Sequence, residues 1–238
     1  MAEVTATEQL VKSDRVIVVA GLVAIALLAW AYVLAGAGTG TSTVAMTTWS
    51  FPPAAHMANM PATWDLSYWA IMLVMWWVMM VAMMVPSAAP MILLFARVNR
   101  HAQKKGQMDP SPVPTAAFAG GYLVAWLAFS VVATTLQWGI EKLGLLHAMM
   151  MWSTSAGLTA AFLVAAGVYQ LSPLKHVCLD HCRSPALFLS KHWRKGRWGA
   201  LRMGLDHGLF CVGCCWFLMA LLFVGGIMNL VWIAGLAI

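Results

Sequence analysis

The five cysteines of the chain all lie in its last third, and they are the residues with the clearest potential chemistry. Cys178 and Cys182 form a C-x3-C pair, Cys211 and Cys214 form a C-x2-C pair, and Cys215 follows directly. Two thiolate pairs from separate segments resemble tetrahedral Zn(II) sites or, with fewer ligands, Cu(I) sites. We therefore predict a metal site at which the two pairs meet.

Histidines accompany both cysteine pairs. His207, Cys211 and Cys214 stand at positions i, i+4 and i+7 of an apolar run, so they form one stripe on a helix. His181 lies within the segment of the other pair. We expect the four paired cysteines to be the first-choice ligands and the remaining residues to exchange with them. The predicted metal-binding residues are Cys178, Cys182, Cys211, Cys214, His181, His207 and Cys215.

Three other interpretations of the cysteines remain open. Disulfides are the first, but five is an odd number, and the topology derived below places the thiols in a reducing compartment where disulfides are rare. The second is that the thiols are small apolar packing residues in a helix interface. The third is a thiol-disulfide enzyme that works through Cys211 and Cys214 at a helix start, where the helix dipole favours the thiolate.

Small and charged residues surround the second cysteine pair. Gly204, Gly208 and Gly213 would let another backbone approach this helix closely. Asp206 could pair with Arg202, or accept a hydrogen bond from a histidine that binds metal. The sequence therefore predicts close helix packing around the site.

Methionine is unusually frequent, with 18 residues. The second apolar run places four of them on one helical stripe, and thioethers are soft ligands suited to Cu(I). Adaptable packing beside prolines is the other explanation for these residues. A His and Met cluster in an outer loop, extended by three later methionines, could continue a soft-ligand path to the cysteines. The stripe and the outer cluster comprise Met72, Met75, Met79, Met83, His56, Met57, Met60, Met149, Met150 and Met151.

The sequence motifs of common enzymes are missing. The chain has no P-loop, no dinucleotide-binding glycine pattern after a strand, no H-E-x-x-H and no G-x-S-x-G. Its eight acidic residues include no E-x-x-H pair, which excludes a carboxylate di-iron site. These absences favour a protein without catalytic activity of its own.

The composition of the chain excludes a soluble domain. Only 9% of the 238 residues are charged and 62% are hydrophobic, whereas ordinary domains are about 25% charged. The charge-free stretches exceed the roughly 20 residues that a helix needs to cross a bilayer. Because lipid-exposed backbone must be satisfied within helices or closed barrels, these runs predict an all-α transmembrane bundle of about six helices, a single domain over 1–238. The predicted helices cover 16–36, 68–96, 116–137, 148–170, 203–225 and 229–238.

The basic residues predict how the bundle is oriented. All of them except Lys142 lie before the first helix, after the second, or between the fourth and fifth, and such residues favour the cytoplasmic side. The N-terminus and the loops 97–115 and 171–202 are therefore expected in the cytoplasm. Since all basic residues except Lys142 lie in these segments between apolar spans, the expected partner is the lipid bilayer, and no nucleic acid is expected. The first apolar run exceeds the roughly 7–15 residues of a signal peptide, which favours an uncleaved helix.

Three segments carry a resemblance to a known family: MMVAMMVPSAAPM at 79–91, YQLSPLKHVCLDHCRSP at 169–185 and GLDHGLFCVGCCW at 204–216. They resemble the signatures of an uncharacterised bacterial family described as predicted metal-binding integral membrane proteins, and the likeness extends from about residue 66 onward. The resemblance implies a multi-pass protein of the bacterial inner membrane that binds metal through its Cys and His motifs. In that family the sixth helix usually continues, which implies a final helix that extends past Ile238.

These features predict a membrane protein that transports, stores or delivers a soft metal ion through a site at the cytoplasmic end of the fifth helix. Copper is favoured, and zinc is the alternative because a closed four-thiolate site suits structural zinc. The other hypothesis is an accessory or assembly subunit of a larger membrane metalloenzyme, such as a copper-dependent monooxygenase. Co-purification with large partners would distinguish the two.

Overall fold

The computed structural model describes residues 6–50, 63–104 and 113–237 of the chain. Within these ranges the fold is all-α, and the only β-type pairing is an isolated bridge between Leu146 and Ser153. This agrees with the helical bundle that the apolar runs predict. The helices are α1 (Ala6–Leu34), α2 (Leu66–Lys104), α3 (Val113–Lys142), α4 (Ala156–Gln170), α5 (Pro173–Arg183), α6 (Pro185–His192), α7 (Gly196–Ala220), α8 (Leu222–Gly225) and α9 (Leu230–Ala237).

Four helical stretches in the described ranges are long and apolar enough to cross a membrane. A fifth span results if α4 and α5, which meet at a bend of 66°, are counted together. The sequence predicted about six spans, and the difference arises because α4 alone is too short and the described part of the last predicted helix, α9, has eight residues. Apolar side chains on the outside of α1 remain uncovered, with Leu28 71% exposed, which is compatible with membrane insertion.

The predicted start of the fourth helix, at residue 148, is wrong. The preceding segment forms a tight turn in which the His147 amide donates to the Trp152 carbonyl and Met151 adopts a positive φ of 54°. Helix α4 begins only after Ser155, whose side chain accepts a hydrogen bond from the Leu158 amide. A serine side chain at this position satisfies one of the free amides of the first turn and so fixes the helix start.

The segment 171–202, expected to be a loop, is also largely helical. Ser172 caps α5 by accepting a hydrogen bond from the Lys175 amide, and Pro173 occupies its first turn. Serine followed by proline is a strong start signal, because the fixed φ of proline suits a first turn that has no amide partner. The first cysteine pair therefore lies on a helix, where positions i and i+4 share one face.

Helices α3 and α7 pack closely because glycines line their contact. A β-carbon at Gly204 of α7 would overlap with the backbone carbonyl of Phe118, and one at Gly121 of α3 would overlap with that of Leu201. Both positions therefore need a residue without a side chain if the backbones are to come this close. The close packing that the glycine pattern predicts is confirmed, and it fixes α7 against α3.

Helix α2 lies at the centre of the core. All four methionines of its stripe are buried, together with Trp76. The Trp76 indole donates to the side-chain oxygen of Gln137 at 2.8 Å, and the Gln137 amide in turn contacts the sulfur of Met72 at 3.6 Å. The stripe thus packs against α3, so packing is a sufficient explanation for these thioethers.

The glycine contact between α3 and α7 leads to a stability prediction. The substitution Gly204→Ala should destabilise the protein by about 1–3 kcal/mol, because overfilling a packed interface costs this much. Thermal unfolding in detergent should show a clear fall in the midpoint. Gly167→Ala is the matched control, since a β-carbon at that helical glycine meets nothing within 4 Å. Equal effects of the two substitutions would contradict the proposed packing constraint.

Candidate metal centre

Three cysteine sulfurs gather between α5 and α7. The Sγ atoms of Cys182, Cys211 and Cys214 all lie within 4.8 Å of one another, and those of Cys182 and Cys214 are 4.0 Å apart. Cys211 and Cys214 are 8% and 6% exposed, and Cys182 is half-buried. The two cysteine motifs therefore meet in space, and access to the group is from the side of Cys182.

The spacing of these sulfurs fits a metal ion with three thiolate ligands. Metal–sulfur bonds of about 2.3 Å in a trigonal arrangement place the sulfurs about 4 Å apart. The 4.0 Å between the sulfurs of Cys182 and Cys214 matches this value, and the other two distances are within 4.8 Å. Soft thiolates select ions such as Cu(I) and Zn(II) over hard cations, so the donor set suits a soft metal.

Cys215 lies beside this group but cannot easily share an ion with Cys214. Their sulfurs are 3.2 Å apart, and two bonds of about 2.3 Å to sulfurs at that separation would enclose an angle of only about 90°. Cys215 is half-buried. Its thiol is thus placed as a neighbouring ligand that can replace one of the three.

Cys178, a predicted first-choice ligand, is not one of the three mutually close sulfurs. Its sulfur lies against α7 where Gly213 leaves room, since a β-carbon on that glycine would be 2.9 Å from the sulfur. The same glycine accepts a hydrogen bond at its carbonyl from the Tyr169 hydroxyl. Cys178 and Tyr169 therefore help to seat α4 and α5 on α7.

His207 is buried one helical turn before Cys211, with 4% of its surface exposed. Its ring packs among aromatic rings, with centroids 5.8 Å from Tyr122 and 5.5 Å from Phe188. Its Nδ1 atom is buried and has no hydrogen-bond partner within the described ranges. A buried polar atom without a partner is costly, so this nitrogen is available to a ligand that the site could take up.

His181 also lies outside the three-sulfur group. Its ring stacks on Phe210 with centroids 4.2 Å apart, and its Nδ1 hydrogen-bonds to the Val177 carbonyl at 2.8 Å. The structure therefore places this residue beside the thiols but separates its ring from them.

Tyr122 of α3 is a residue of the site that the sequence analysis did not identify. Its buried hydroxyl lies 3.4 Å from the Cys211 sulfur and donates to the Met84 carbonyl at 3.1 Å. It thereby ties α2 and α3 to the cysteine on α7. A tyrosine within an apolar helix is a usable signal, because a buried hydroxyl needs a partner.

The expected pairing of Asp206 with Arg202 is not formed. No hydrogen bond or ion pair joins these two side chains, although both lie in the described part of the chain. Arg202 is exposed and Asp206 is half-buried, so both side chains can reach water.

The outer soft-ligand cluster lies only partly within the described residues. His56, Met57 and Met60 lie outside the described residues. Of the three later methionines, Met150 and Met151 are buried and Met149 is half-exposed. A small cavity of about 180 Å³ is lined in part by Met46, Met149 and Met151. The continuous path to the cysteines therefore stays a prediction.

The fold and the site together define a bundle of apolar helices, several of membrane-spanning length, with a cluster of thiols suited to a soft metal ion. Residues 73–238 match the family described as PpoB2 copper chaperone, and this covers most of the chain. The protein therefore belongs to the PpoB2 copper chaperone family. This agrees with the metal-binding character that the sequence resemblance implied. Comparisons with curated proteins and with solved structures found no match.

The convergence of α5 and α7 can be tested by cross-linking without any metal. A protein that retains only Cys182 and Cys214, through Cys178→Ser, Cys211→Ser and Cys215→Ser, should form an intramolecular disulfide under mild oxidation. Its sulfurs need to close only from 4.0 Å to about 2 Å. After trypsin cleavage between the two cysteines, the peptides should stay linked until reductant is added, as mass spectrometry would show.

The matched control retains Cys178 and Cys211 instead. Cys178 is not part of the described three-sulfur group, so this protein should give little linkage. Equal linkage in the two proteins, or none in the first, would contradict the observed convergence.

Proposed function

We propose that this protein is an integral membrane copper chaperone that holds one Cu(I) ion between α5 and α7 and passes it to an acceptor protein. The observation that carries the proposal is the group of three sulfurs within 4.8 Å of one another in a chain of the copper chaperone family. The four or five apolar helices of spanning length support the membrane setting.

The number and type of ligands favour transient copper binding over a closed site. Structural zinc is normally held by four ligands, whereas only three thiols gather here within the described residues. Cu(I) is a soft ion for which thiolates are preferred ligands. A three-coordinate ion leaves room for an incoming ligand, which a chaperone needs in order to release its cargo.

Release is proposed to proceed by ligand exchange at the more open side of the site. Cys215 lies 3.2 Å from Cys214 and can take over a bond as another is lost. Cys182 is only half-buried, so a ligand of the acceptor can approach from there. The ion keeps its charge throughout, so the transfer needs no oxidant or reductant.

We further propose that the protein is a multi-pass component of the bacterial cytoplasmic membrane, with the thiols toward the cytoplasm. The basic residues of α5, α6 and the start of α7 support this orientation, because positive residues concentrate on that side. The proposed acceptor is a copper-dependent protein in or at the same membrane, and the chain would then serve its assembly.

Copper binding to the purified protein tests the proposal. Under anaerobic reducing conditions, Cu(I) should bind with sulfur ligands visible by X-ray absorption. Cys182→Ser, Cys211→Ser and Cys214→Ser should each weaken binding by more than about 100-fold, since even residues that only orient a ligand contribute about 10–100-fold. Competition with a Cu(I) chelator gives the affinities.

Cys178→Ser is the matched control for this measurement. It removes a thiol from the same helix as Cys182 but from outside the three-sulfur group, so the affinity should stay near that of the unmodified protein. The proposal fails if the three substitutions leave binding intact, or if the unmodified protein binds no Cu(I) through sulfur.

A further inference from the structure

Two histidine rings lie close together beside the thiol cluster. His181 is near the end of α5 and His192 is the last residue of α6. Their ring centroids are 6.5 Å apart and their planes are inclined by 61°. The sequence analysis considered only His181, and only as an exchange partner for the cysteines. His192 was not identified because nothing in its local sequence connects it to the cysteine motifs.

The hydrogen bonds of the two rings determine which nitrogen carries the proton. His181 Nδ1 contacts the Val177 carbonyl at 2.8 Å, and His192 Nδ1 contacts the Phe188 carbonyl at 3.2 Å. A carbonyl oxygen can only accept, so in both rings Nδ1 must be the donor. In the neutral rings Nε2 then carries a lone pair, and this is the arrangement in which histidines bind metal in proteins.

Aromatic stacking holds both rings in place. His181 stacks on Phe210 with a centroid distance of 4.2 Å and planes 7° apart. His192 stacks on Phe188 at 4.8 Å and 20°. Neither Nε2 atom makes a hydrogen bond to any part of the chain that the structure describes. Each ring is thus oriented by a backbone acceptor and an aromatic face, while its second nitrogen stays free.

The separation of the rings suits one ion bound by both. Two imidazoles that bind a single ion on opposite sides, with metal–nitrogen bonds of about 2 Å, have centroids roughly 6 Å apart. The observed 6.5 Å is close to this value. Imidazole is a good ligand for copper, and two ligands can be sufficient for Cu(I).

We infer that His181 and His192 form a second Cu(I) site. One nitrogen of each ring binds the ion there, before it enters or after it leaves the thiol cluster. The inference rests on the proposed chaperone function. His181 directly precedes Cys182 in the chain, so a rearrangement of the last turn of α5 can bring the side chains of both residues to one ion. Phe188 contacts both His192 and the buried His207, which lies one helical turn before Cys211.

A protein without its five cysteines isolates the second site. With every cysteine replaced by Ser, the chain should bind one Cu(I) ion through two nitrogens and no sulfur, as judged by stoichiometry and X-ray absorption. Adding His181→Phe or His192→Phe should lower the stoichiometry from one to near zero. Phenylalanine keeps the aromatic stack and removes the nitrogen ligand together with the Nδ1 hydrogen bond to the carbonyl.

His176→Phe is the matched control, because this exposed histidine lies on the same helix α5. It should leave the nitrogen-bound ion in place. The inference is overturned if the cysteine-free protein is folded and binds no Cu(I), or if binding survives the loss of both His181 and His192.

A second measurement decides the matter even if the cysteine-free protein does not fold. In the otherwise unmodified chain, the double substitution of His181 and His192 by Phe should lower the Cu(I) stoichiometry from two to one and leave sulfur ligands only. An unchanged stoichiometry would overturn the second site and leave the chaperone proposal standing. Absence of a sulfur-bound ion in the unmodified chain would instead overturn the chaperone proposal.

Discussion

The metal centre depends on how α7 is held between α3 and α5. On one side, Gly204 and Gly121 allow the backbones of α7 and α3 to touch. On the other side, Gly213 leaves the space into which Cys178 of α5 packs. A helix fixed on both faces cannot rotate freely, so its cysteines keep their direction. Small residues, which carry no chemistry themselves, therefore determine where the sulfurs stand.

The apolar surroundings of the sulfurs give the site its chemical character. Charges are costly in such an environment unless they are paired, and a bound metal ion is a charge with which thiolates can pair. A metal ion that binds thiolates must displace their protons. The Tyr122 hydroxyl, close to the Cys211 sulfur, is the polar group that α3 supplies there. Binding and proton release are therefore linked at this site.

The sequence predicts the long helices well because the apolar runs alone define them. It does not predict where α4 starts, since the turn before it depends on the positive φ of Met151. That turn also depends on backbone hydrogen bonds to residues far along the chain, such as the one from the Ser153 amide to the Phe223 carbonyl. The start of helix α5 is predictable from the sequence, because Ser172 and Pro173 form a standard helix start signal. The charged residues that follow suggested a loop instead.

The meeting of the two cysteine motifs was predictable from ligand spacing, but its exact membership was not. Cys178 and Cys182 share a helix face, and only the tilt of α5 on α7 determines that Cys182 joins the sulfur group while Cys178 packs on Gly213. The pairing of His181 with His192 likewise depends on the turn between α5 and α6. Sequence identifies which residues can bind a metal, whereas tertiary packing decides which of them meet.

The length of helix α4 determines how far it can extend across a bilayer. Its 15 residues extend about 22 Å, while the hydrocarbon core of a bilayer is about 30 Å thick. If α4 and α5 form one span, the 66° bend between them means that the 11 residues of α5 add only about 7 Å along the axis of α4. Because Cys182 is near the end of α5, this arrangement would place the three-sulfur group at the edge of the hydrocarbon core, where the bent span ends.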